Sequence, residues 1–211
     1  MKKVAIFGAT GQTGKHLVRK ALDAGYQVTA YARIPAKLEV EHENLNVVQG
    51  NLEEAEKVSQ VVAGADAVLS ALGATRGGSN RVMVPAASSI LPAMKQHGVK
   101  RLVWATGAGV QAPEDEPAFM NKVIGFLLKL TAREVLEDSL RGVEMVKASG
   151  LEWVVARGPM LTDEPGSGEY RVGYVNSEMG RTLSRENFAD FMLKEIESDE
   201  WLHKMPAVSD R

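Results

Sequence analysis

A glycine-spaced turn close to the N-terminus constrains the fold of this chain more than any other feature of its sequence. The stretch 8–14 reads GATGQTG, with glycine at positions 8, 11 and 14. It follows the apolar run 4–7, which is typical of a buried strand, and it opens an amphipathic pattern over 13–24 that predicts a helix. A tight turn between a strand and a helix begins a parallel α/β unit, so the chain is predicted to alternate strands and helices.

The same three glycines meet the physical demands of a phosphate-binding turn. Gly8 makes the tight turn, Gly11 leaves space for phosphate oxygens, and Gly14 lets the helix and the sheet approach closely. The backbone amides and the dipole at the helix N-terminus then face a pyrophosphate. The spacing therefore predicts that the turn binds a dinucleotide, with a purely structural glycine turn as the alternative.

The rest of the chain repeats this alternation. Six strands are predicted, at 4–7, 28–32, 46–49, 67–71, 101–105 and 152–156. Helices are predicted at 13–24, 53–63, 81–97, 133–149 and 185–197. This order predicts an α/β protein with a single-domain Rossmann fold, in which helices cover both faces of a doubly wound parallel sheet. One domain spanning 1–211 is expected, with the substrate cleft formed by its C-terminal part.

Glycine and proline mark the expected ends of the helices. Four helix-to-strand junctions carry glycine where a left-handed residue ends a helix at low cost, at Gly25, Gly64, Gly98 and Gly150. Pro92 falls inside the third helical pattern and predicts either a kink or a different boundary there.

Composition excludes several classes of function. The absence of cysteine rules out disulfides, thiolate metal sites and a cysteine nucleophile, and it is compatible with a cytoplasmic location. A net charge of -2 predicts no basic surface for nucleic acid or an anionic membrane. The N-terminal apolar run is too short for a signal peptide or a membrane span. No metal site is expected, because the four histidines are scattered at His16, His42, His97 and His203.

The end of the second predicted strand indicates which dinucleotide is bound. A site selective for NAD places an acidic residue there to accept a hydrogen bond from the ribose 2′-hydroxyl, whereas this chain has Arg33. A guanidinium group suits a 2′-phosphate, and Lys37 in the following turn offers a second positive charge. NADP(H) is therefore predicted in preference to NAD(H), with a solvated arginine at a strand end as the alternative.

With these features the chain resembles the atypical short-chain dehydrogenase/reductases, in particular the biliverdin-IXβ reductase and flavin reductase branch and the NmrA-like NAD(P)-binding proteins. The resemblance runs over nearly the whole chain and lies in a set of short matches. These are IFGATGQTG at 6–14, AGY at 24–26, GNL at 50–52, LG at 72–73, AMK at 93–95, HGV at 97–99, SGL at 149–151 and GEY at 168–170.

The resemblance implies cofactor-binding roles for residues that follow the predicted strands. Those at the pyrophosphate are Thr10, Gln12 and Thr13, and those at the 2′-phosphate are Arg33 and Lys37. The adenine is flanked by Asn51, where relatives usually carry Asp, and by Leu52. The nicotinamide and its ribose are bordered by Ala71, Leu72, Gly73, Arg76, Thr106, Pro159 and Met160.

The sequence departs from the reductase branch where the substrate would bind. Gly107 stands where that branch carries a serine, and Met160 stands where a close relative offers a histidine. Carbonyl-reducing members of the superfamily use a tyrosine whose pKa is lowered by a lysine four residues later. None of the four tyrosines here has such a lysine. Ordinary ketone reduction by that mechanism is therefore not expected.

An acceptor that takes its proton from water needs only to be held against the nicotinamide. The sequence thus predicts an NADPH-dependent oxidoreductase that transfers hydride to a planar conjugated small molecule, such as a flavin, a bilin or a quinone. Thr106 and Tyr170 are the candidate catalytic residues because their hydroxyl groups can position a substrate. A structural role is the alternative for each of them.

A second hypothesis belongs to a different class. A non-catalytic NADP(H)-binding redox sensor is favoured by the missing Tyr/Lys pair and by Gly107, whereas the lack of an added partner-binding domain favours the reductase. A sugar-nucleotide epimerase would need the missing pair. The apolar segment 117–130 is expected to cap the core, with a substrate lid or a surface for a protein partner as the alternative.

Overall fold

The computed structural model describes residues 2–74, 78–116 and 132–211. Its strands are β1 Lys3–Phe7, β2 Gln27–Ala32, β3 Leu45–Gln49, β4 Ala67–Ser70, β5 Arg101–Gly107, β6 Glu152–Gly158, β7 Met160–Thr162, β8 Tyr170–Gly173, β9 Thr182–Ser184 and β10 Ala207–Asp210. Its helices are α1 Gln12–Asp23, α2 Ala55–Val62, α3 Met83–His97, α4 Arg133–Lys147 and α5 Arg185–Lys194, and a short 3₁₀ turn spans Pro35–Lys37.

Eight strands form one sheet in the order β3-β2-β1-β4-β5-β6-β10-β8. Every neighbouring pair is parallel except β10 and β8, which are antiparallel. The chain moves outward from β1 to β3 and then crosses to the other side of β1, so the order reverses between β1 and β4. In a parallel sheet a crevice opens at this reversal, outside the carboxyl ends of the strands. The predicted Rossmann fold is confirmed.

Helices cover both faces of the sheet, as the alternation along β1 requires. Ala5 and Phe7 point into one core, which they share with α2, α3 and α4. Val4 and Ile6 point into the other core, which α1 and α5 close. Successive side chains of a strand face opposite ways, so a strand buried on both faces must be apolar throughout. This is why the run 4–7 contains no polar residue.

Glycine ends the helices where the sequence predicted it. Gly25, Gly64, Gly98 and Gly150 adopt left-handed conformations, with φ between 68° and 81°. Pro92 does not end α3, which continues through it to His97. The expectation of a different boundary at this proline is therefore wrong.

The structure extends the predicted elements mainly in the C-terminal half. Strands β5 and β6 run two residues beyond their predicted ends, to Gly107 and Gly158. Strands β7 to β10 were not predicted, because runs of three or four residues carry too little periodicity to identify a strand. Strands β7 and β9 form a separate parallel pair. The last helix ends at Lys194 rather than at residue 197.

The described residues contain neither a helix suited to span a membrane nor a cluster of metal-ligating side chains. None of their helices combines the length and the apolar character needed to cross a bilayer. Nor do these residues include a group of three or more histidine or acidic side chains that could hold a metal ion.

Candidate functional site

A cleft of about 320 Å³ lies where the topology places it, at the carboxyl ends of the central strands. Its floor consists of the turn at the start of α1, the segment after β4, and the ends of β5 and β6. Its walls come from α3, α4, β7 and α5. This volume falls in the range of small-molecule sites, and the position is the one at which open α/β sheets bind ligands.

The glycine turn forms one end of this cleft. Gly8 has φ of 78°, and a Cβ atom there would lie 2.8 Å from the Ala71 backbone. A Cβ atom on Gly14 would collide with the Gly8 carbonyl oxygen. Gly11 differs, because its φ of -71° is open to any residue and its nearest obstacle is the Gly8 oxygen at 3.2 Å. Packing thus requires Gly8 and Gly14, whereas Gly11 lines the cleft.

The N-terminus of α1 is left free for an anion. Gly11 is the N-cap, no side chain in the described part of the chain accepts a hydrogen bond from the first turn, and that turn contains no acidic residue. The first amides of a helix have no partner within the helix, and the helix dipole adds partial positive charge there. Gln12 and Thr13 of this turn line the cleft. The residues present therefore fit a pyrophosphate group, as the spacing of the glycines predicted.

The residues expected at the 2′-phosphate lie outside the cleft, next to the end of β2. Arg33 and Lys37 both have exposed side chains. The Arg33 carbonyl oxygen accepts a hydrogen bond of 3.2 Å from the Gln49 side chain, which fixes the backbone and leaves the guanidinium group in solvent. Their assignment to the 2′-phosphate stays a prediction.

Hydrogen bonds hold the turn that is expected to flank the adenine. The Tyr31 hydroxyl donates to the Asn51 carbonyl oxygen at 2.7 Å, and the Asn51 amide donates to the Glu54 carboxylate at 2.6 Å. The Ser89 hydroxyl donates to the Leu52 carbonyl oxygen. Burial, with the negative charges of nearby glutamates, raises the pKa of Tyr31 to about 12, so this hydroxyl remains a donor at neutral pH. These contacts give the turn a fixed shape before any ligand binds.

The structure brings most of the residues expected around the nicotinamide to one place. Ala71, Leu72 and Gly73 line the cleft in the segment after β4, Thr106 lines it from β5, and Pro159 lines it directly after β6. The Thr106 hydroxyl oxygen is buried and has no hydrogen-bond partner among the described residues. A buried hydroxyl without a partner is costly, so this group is available to a ligand. Arg76 lies outside the described residues, as does the segment 117–130.

Two expected site residues are placed elsewhere. Met160 lies on β7 with 67% of its surface exposed, and it does not line the cleft.

Tyr170 lies on the edge strand β8, where its hydroxyl donates to Asp190 at 2.8 Å and accepts from Lys194 at 3.0 Å. Its ring packs edge-to-face on Phe191 of α5. Burial first, and then Asp190, raise the pKa of Tyr170 to about 12 against the opposing effect of Lys194. These contacts favour the structural alternative for Tyr170, and its candidate catalytic role stays a prediction.

Sequence reasoning missed most of the opposite wall. Val135 and Ser139 face the cleft from α4, four residues apart and therefore on the same side of that helix. The remaining lining residues from α3, β7 and α5 are Met83, Leu161, Arg185 and Phe188. The spacing of Val135 and Ser139 is a usable signal once α4 is known to cover the cleft. No local pattern marks the other four.

A buried ion pair supports the floor of the cleft. Arg157 of β6 is fully buried and makes two hydrogen bonds with Asp115, of 2.6 and 2.8 Å. Asp115 also accepts from the backbone amides of Ala112 and Val175. Burial opposes ionisation of Asp115, but the hydrogen bonds from Arg157 and the backbone outweigh it and hold the carboxyl pKa below its usual range. The pair ties the segment after β5 to β6, just before Gly158 and Pro159 enter the cleft.

Comparison with known proteins agrees with this geometry. The sequence model of a family described as NAD(P)H-binding matches residues 8–199. Isoeugenol synthase 1 of Clarkia breweri is 31% identical over 114 residues, which are 49% of this chain and 34% of that enzyme. The chain thus spans about a third of that relative's length.

Solved structures match over nearly the whole chain. A Rossmann-fold NAD(P)-binding family protein of Shigella flexneri superposes with a TM-score of 0.75 at 25% identity, covering 100% of this chain and 94% of that one. A short-chain dehydrogenase/reductase of Veillonella parvula, determined in complex with NADP, superposes with a TM-score of 0.79 at 18% identity, covering 99% and 94%.

Proposed function

The chain belongs to the NAD(P)H-binding family, and from that premise we propose that it is an NADPH-dependent oxidoreductase which transfers hydride to a planar conjugated acceptor such as a flavin, a bilin or a quinone. Within the family, the short motifs of the sequence favour the biliverdin-IXβ reductase and flavin reductase branch. The acceptor is the finer part of the proposal, because cofactor binding is common to the whole family.

The composition of the cleft carries this proposal. Among its described lining residues the only ionisable side chain is that of Arg185. The remaining polar side chains are Gln12, Thr13, Thr106 and Ser139, none of which titrates near neutral pH. The described lining of the cleft therefore offers no group suited to general acid catalysis. It therefore suits an acceptor that needs no proton from the protein as the hydride arrives.

The spacing of residues on α4 supports the same conclusion. A Tyr and Lys pair separated by four residues would face a cleft from one side of a helix. The residues that do so here are Val135 and Ser139, which cannot deliver a proton in that way. This difference separates the proposed activity from ordinary ketone reduction.

The protein's own residues bind and orient the reactants. The amides at the start of α1 bind the pyrophosphate, and the firmly held turn at Asn51 receives the adenine. A reduced nicotinamide supplies a hydride when it is bound at the carboxyl ends of β5 and β6. Thr106 donates a hydrogen bond to whichever polar group lies against it, and Phe188 and Leu161 exclude water from one side. Proton exchange with the acceptor then occurs through solvent.

The preference for NADPH is supported by Arg33 and Lys37. Both are exposed beside the end of β2, where the ribose of a bound dinucleotide lies in a Rossmann fold. A guanidinium contact with a 2′-phosphate is charge-assisted and has no equivalent in NADH.

The test is NADPH oxidation, followed by absorbance, against a panel of flavins, quinones, bilins and simple ketones. We expect oxidation with at least one planar acceptor and none with the ketones. Gly11→Val, which blocks the phosphate turn, serves as the inactive control. Tight NADPH binding without oxidation by any acceptor would overturn the reductase and leave the NADP(H) sensor as the function.

A further inference from the structure

Three side chains meet at the mouth of the cleft, beside the phosphate turn. Arg185, the first residue of α5, donates a hydrogen bond of 2.7 Å to one Asp163 carboxylate oxygen. The Gln12 side-chain nitrogen lies 3.5 Å from the other oxygen. The Asp163 side chain is 68% exposed, whereas that of Arg185 is 17% exposed and lines the cleft. Asp163 and Arg185, the one charged residue of the described lining, are thus paired next to the start of α1.

This placement matters because Gln12 is the first residue of α1. A carboxylate near the Gln12 side chain lies close to the helix N-terminus, where the amides and the dipole favour negative charge. The first turn of α1 contains no acidic residue of its own. Asp163 therefore supplies a negative charge beside the position that the cofactor pyrophosphate takes.

We propose that Arg185 exchanges partners when the cofactor binds: it releases Asp163 and binds the pyrophosphate, so that Asp163 acts as an internal competitor for that cation. The inference rests on the cofactor placement in the proposed function and is independent of the acceptor. It adds two residues, Arg185 and Asp163, to the determinants of cofactor affinity.

The chemistry of the two side chains favours the exchange. A guanidinium group has five N–H donors in a planar fork, and one of its nitrogens contacts Asp163. The fork matches phosphate oxygens, and the pyrophosphate carries more negative charge than one carboxylate. Asp163 is mostly exposed, so it returns to water at little cost once released. Arg185 is mostly covered, so it keeps its position.

The proposal predicts opposite effects for the two partners. Arg185→Gln should weaken NADPH binding about tenfold, because a charge-assisted contact is lost. Asp163→Asn should tighten it about threefold, because the competing carboxylate is removed. In the double variant the gain from Asp163→Asn should disappear, since no arginine remains to be released. A pair with a merely structural role would weaken binding in both single variants.

The exposed pair Arg211 and Glu169, 3.4 Å apart near the far edge of the sheet, provides matched controls. Arg211→Gln and Glu169→Gln make the same changes in net charge as the two test variants. Neither should alter NADPH affinity. A Glu169→Gln effect as large as that of Asp163→Asn would overturn the proposal, because the change in net charge alone would then explain the tighter NADPH binding.

The experiment measures dissociation constants by calorimetry for NADPH, for 2′-phospho-ADP-ribose and for adenosine 2′-monophosphate. The first two contain the pyrophosphate and should respond to the substitutions alike, whereas the third lacks it and should not respond. Thermal unfolding checks that each variant is folded. If Arg185→Gln does not fold, the tighter NADPH binding expected for Asp163→Asn still tests the proposal.

Three further results would overturn the exchange: unchanged affinities, weaker binding of NADPH to Asp163→Asn, or an effect on NADPH that 2′-phospho-ADP-ribose does not share. The last would place Arg185 against the nicotinamide riboside. Failure of the unsubstituted protein to bind NADPH would instead contradict the proposed function itself.

Discussion

The two ends of the cleft are built in different ways. The phosphate end comes from seven consecutive residues, 8–14, and it offers backbone amides and open space. The acceptor end comes from side chains of separate elements, among them Thr106, Ser139 and Phe188. A site made from backbone depends on where glycine is allowed, which a short motif records. A site made from side chains depends on tertiary packing, which no local motif records.

The two ends of the cleft also have different roles in the proposed function: one binds the cofactor, and the other selects the acceptor. In the proposed function the phosphate end binds the pyrophosphate, which every NAD(P)H molecule contains. The acceptor end carries no acid or base among its described lining residues, so its selectivity depends on shape and on a few hydrogen bonds. Substitutions at the two ends should therefore differ in kind as well as in size.

The largest effect is expected at the phosphate end. Gly11→Val should weaken NADPH binding at least about a hundredfold, because its side chain fills the space that the pyrophosphate needs. The fold should survive, since φ of -71° and ψ of 164° at this position suit valine. Calorimetry and thermal unfolding provide the measurements.

The matched control for this substitution lies at the acceptor end. A Cβ atom at Gly107 meets nothing within 4 Å, so Gly107→Ala should leave NADPH affinity nearly unchanged. Equal NADPH affinities of Gly11→Val and the unsubstituted protein would mean that the turn is only structural.

The next effect concerns the choice of dinucleotide. The unsubstituted protein should bind NADPH at least about tenfold more tightly than NADH, which corresponds to about 1.4 kcal/mol. Arg33→Ala should remove most of that preference while leaving the NADH affinity intact. Arg211→Ala, which also removes an exposed arginine, should keep the preference. Equal dissociation constants for the two dinucleotides before substitution would contradict the role of Arg33.

Smaller effects are expected at the acceptor end. Thr106→Ala and Ser139→Ala should each lower the turnover of the accepted flavin, bilin or quinone by less than about a hundredfold, the lower limit for loss of a general acid. Tyr170→Phe should leave turnover unchanged, because its hydroxyl bonds Asp190 and Lys194 away from the cleft. A thousandfold loss in any of the three variants, with NADPH affinity intact, would reveal a proton donor and remove the contrast between the two ends.

The last effect is on stability rather than on binding or turnover, and it concerns Glu195, just after α5. Burial, with the nearby charge of Glu200, raises the pKa of this carboxyl to about 7. Its usual pKa is lower, so between about pH 4.5 and 7 the folded protein binds the proton more tightly, and stability falls as the pH rises. Glu195→Gln lacks this loss. The free energy of unfolding of this variant, relative to that of the unsubstituted protein, should therefore rise by about 1 to 3 kcal/mol between pH 5 and pH 8.

The control for this measurement is an exposed glutamate. Glu144→Gln alters a side chain that pairs with Lys147 on the surface of α4, and its difference from the unsubstituted protein should stay nearly constant with pH. A constant difference for Glu195→Gln as well would show that Glu195 is not protonated in the folded protein.

The sequence predicted the fold better than the cleft for a physical reason. Buried parallel strands must be apolar on both faces, and glycine is required where φ is positive, so the central strands and the helix ends leave local signals. The turn at Gly8 is the clearest of them. Strands of three residues, such as β7, leave no such signal, and Met160 was consequently assigned to the cleft although β7 holds it at the surface.

The candidate site divides in the same way. Thr106 and Pro159 were found because they follow central strands, where open α/β sheets bind ligands. Arg185 and Phe188 were missed because their contribution depends on how α5 packs beside α1, which is a tertiary contact. Tyr170 was proposed for its hydroxyl alone, and only the structure shows that this hydroxyl is hydrogen-bonded to Asp190 and Lys194 of α5.

The pH dependence of a single turnover tests most directly the claim that the cleft transfers hydride without a protein acid. Protein with bound NADPH is mixed rapidly with the flavin, bilin or quinone that it reduces, and nicotinamide oxidation is followed by absorbance from pH 6 to 9. We predict a rate constant that does not change with pH beyond the titration of the acceptor itself, because the described lining of the cleft contains no carboxyl, imidazole, amine or phenol group. A rate constant that falls tenfold per pH unit above a pKa that belongs to the protein would contradict the account.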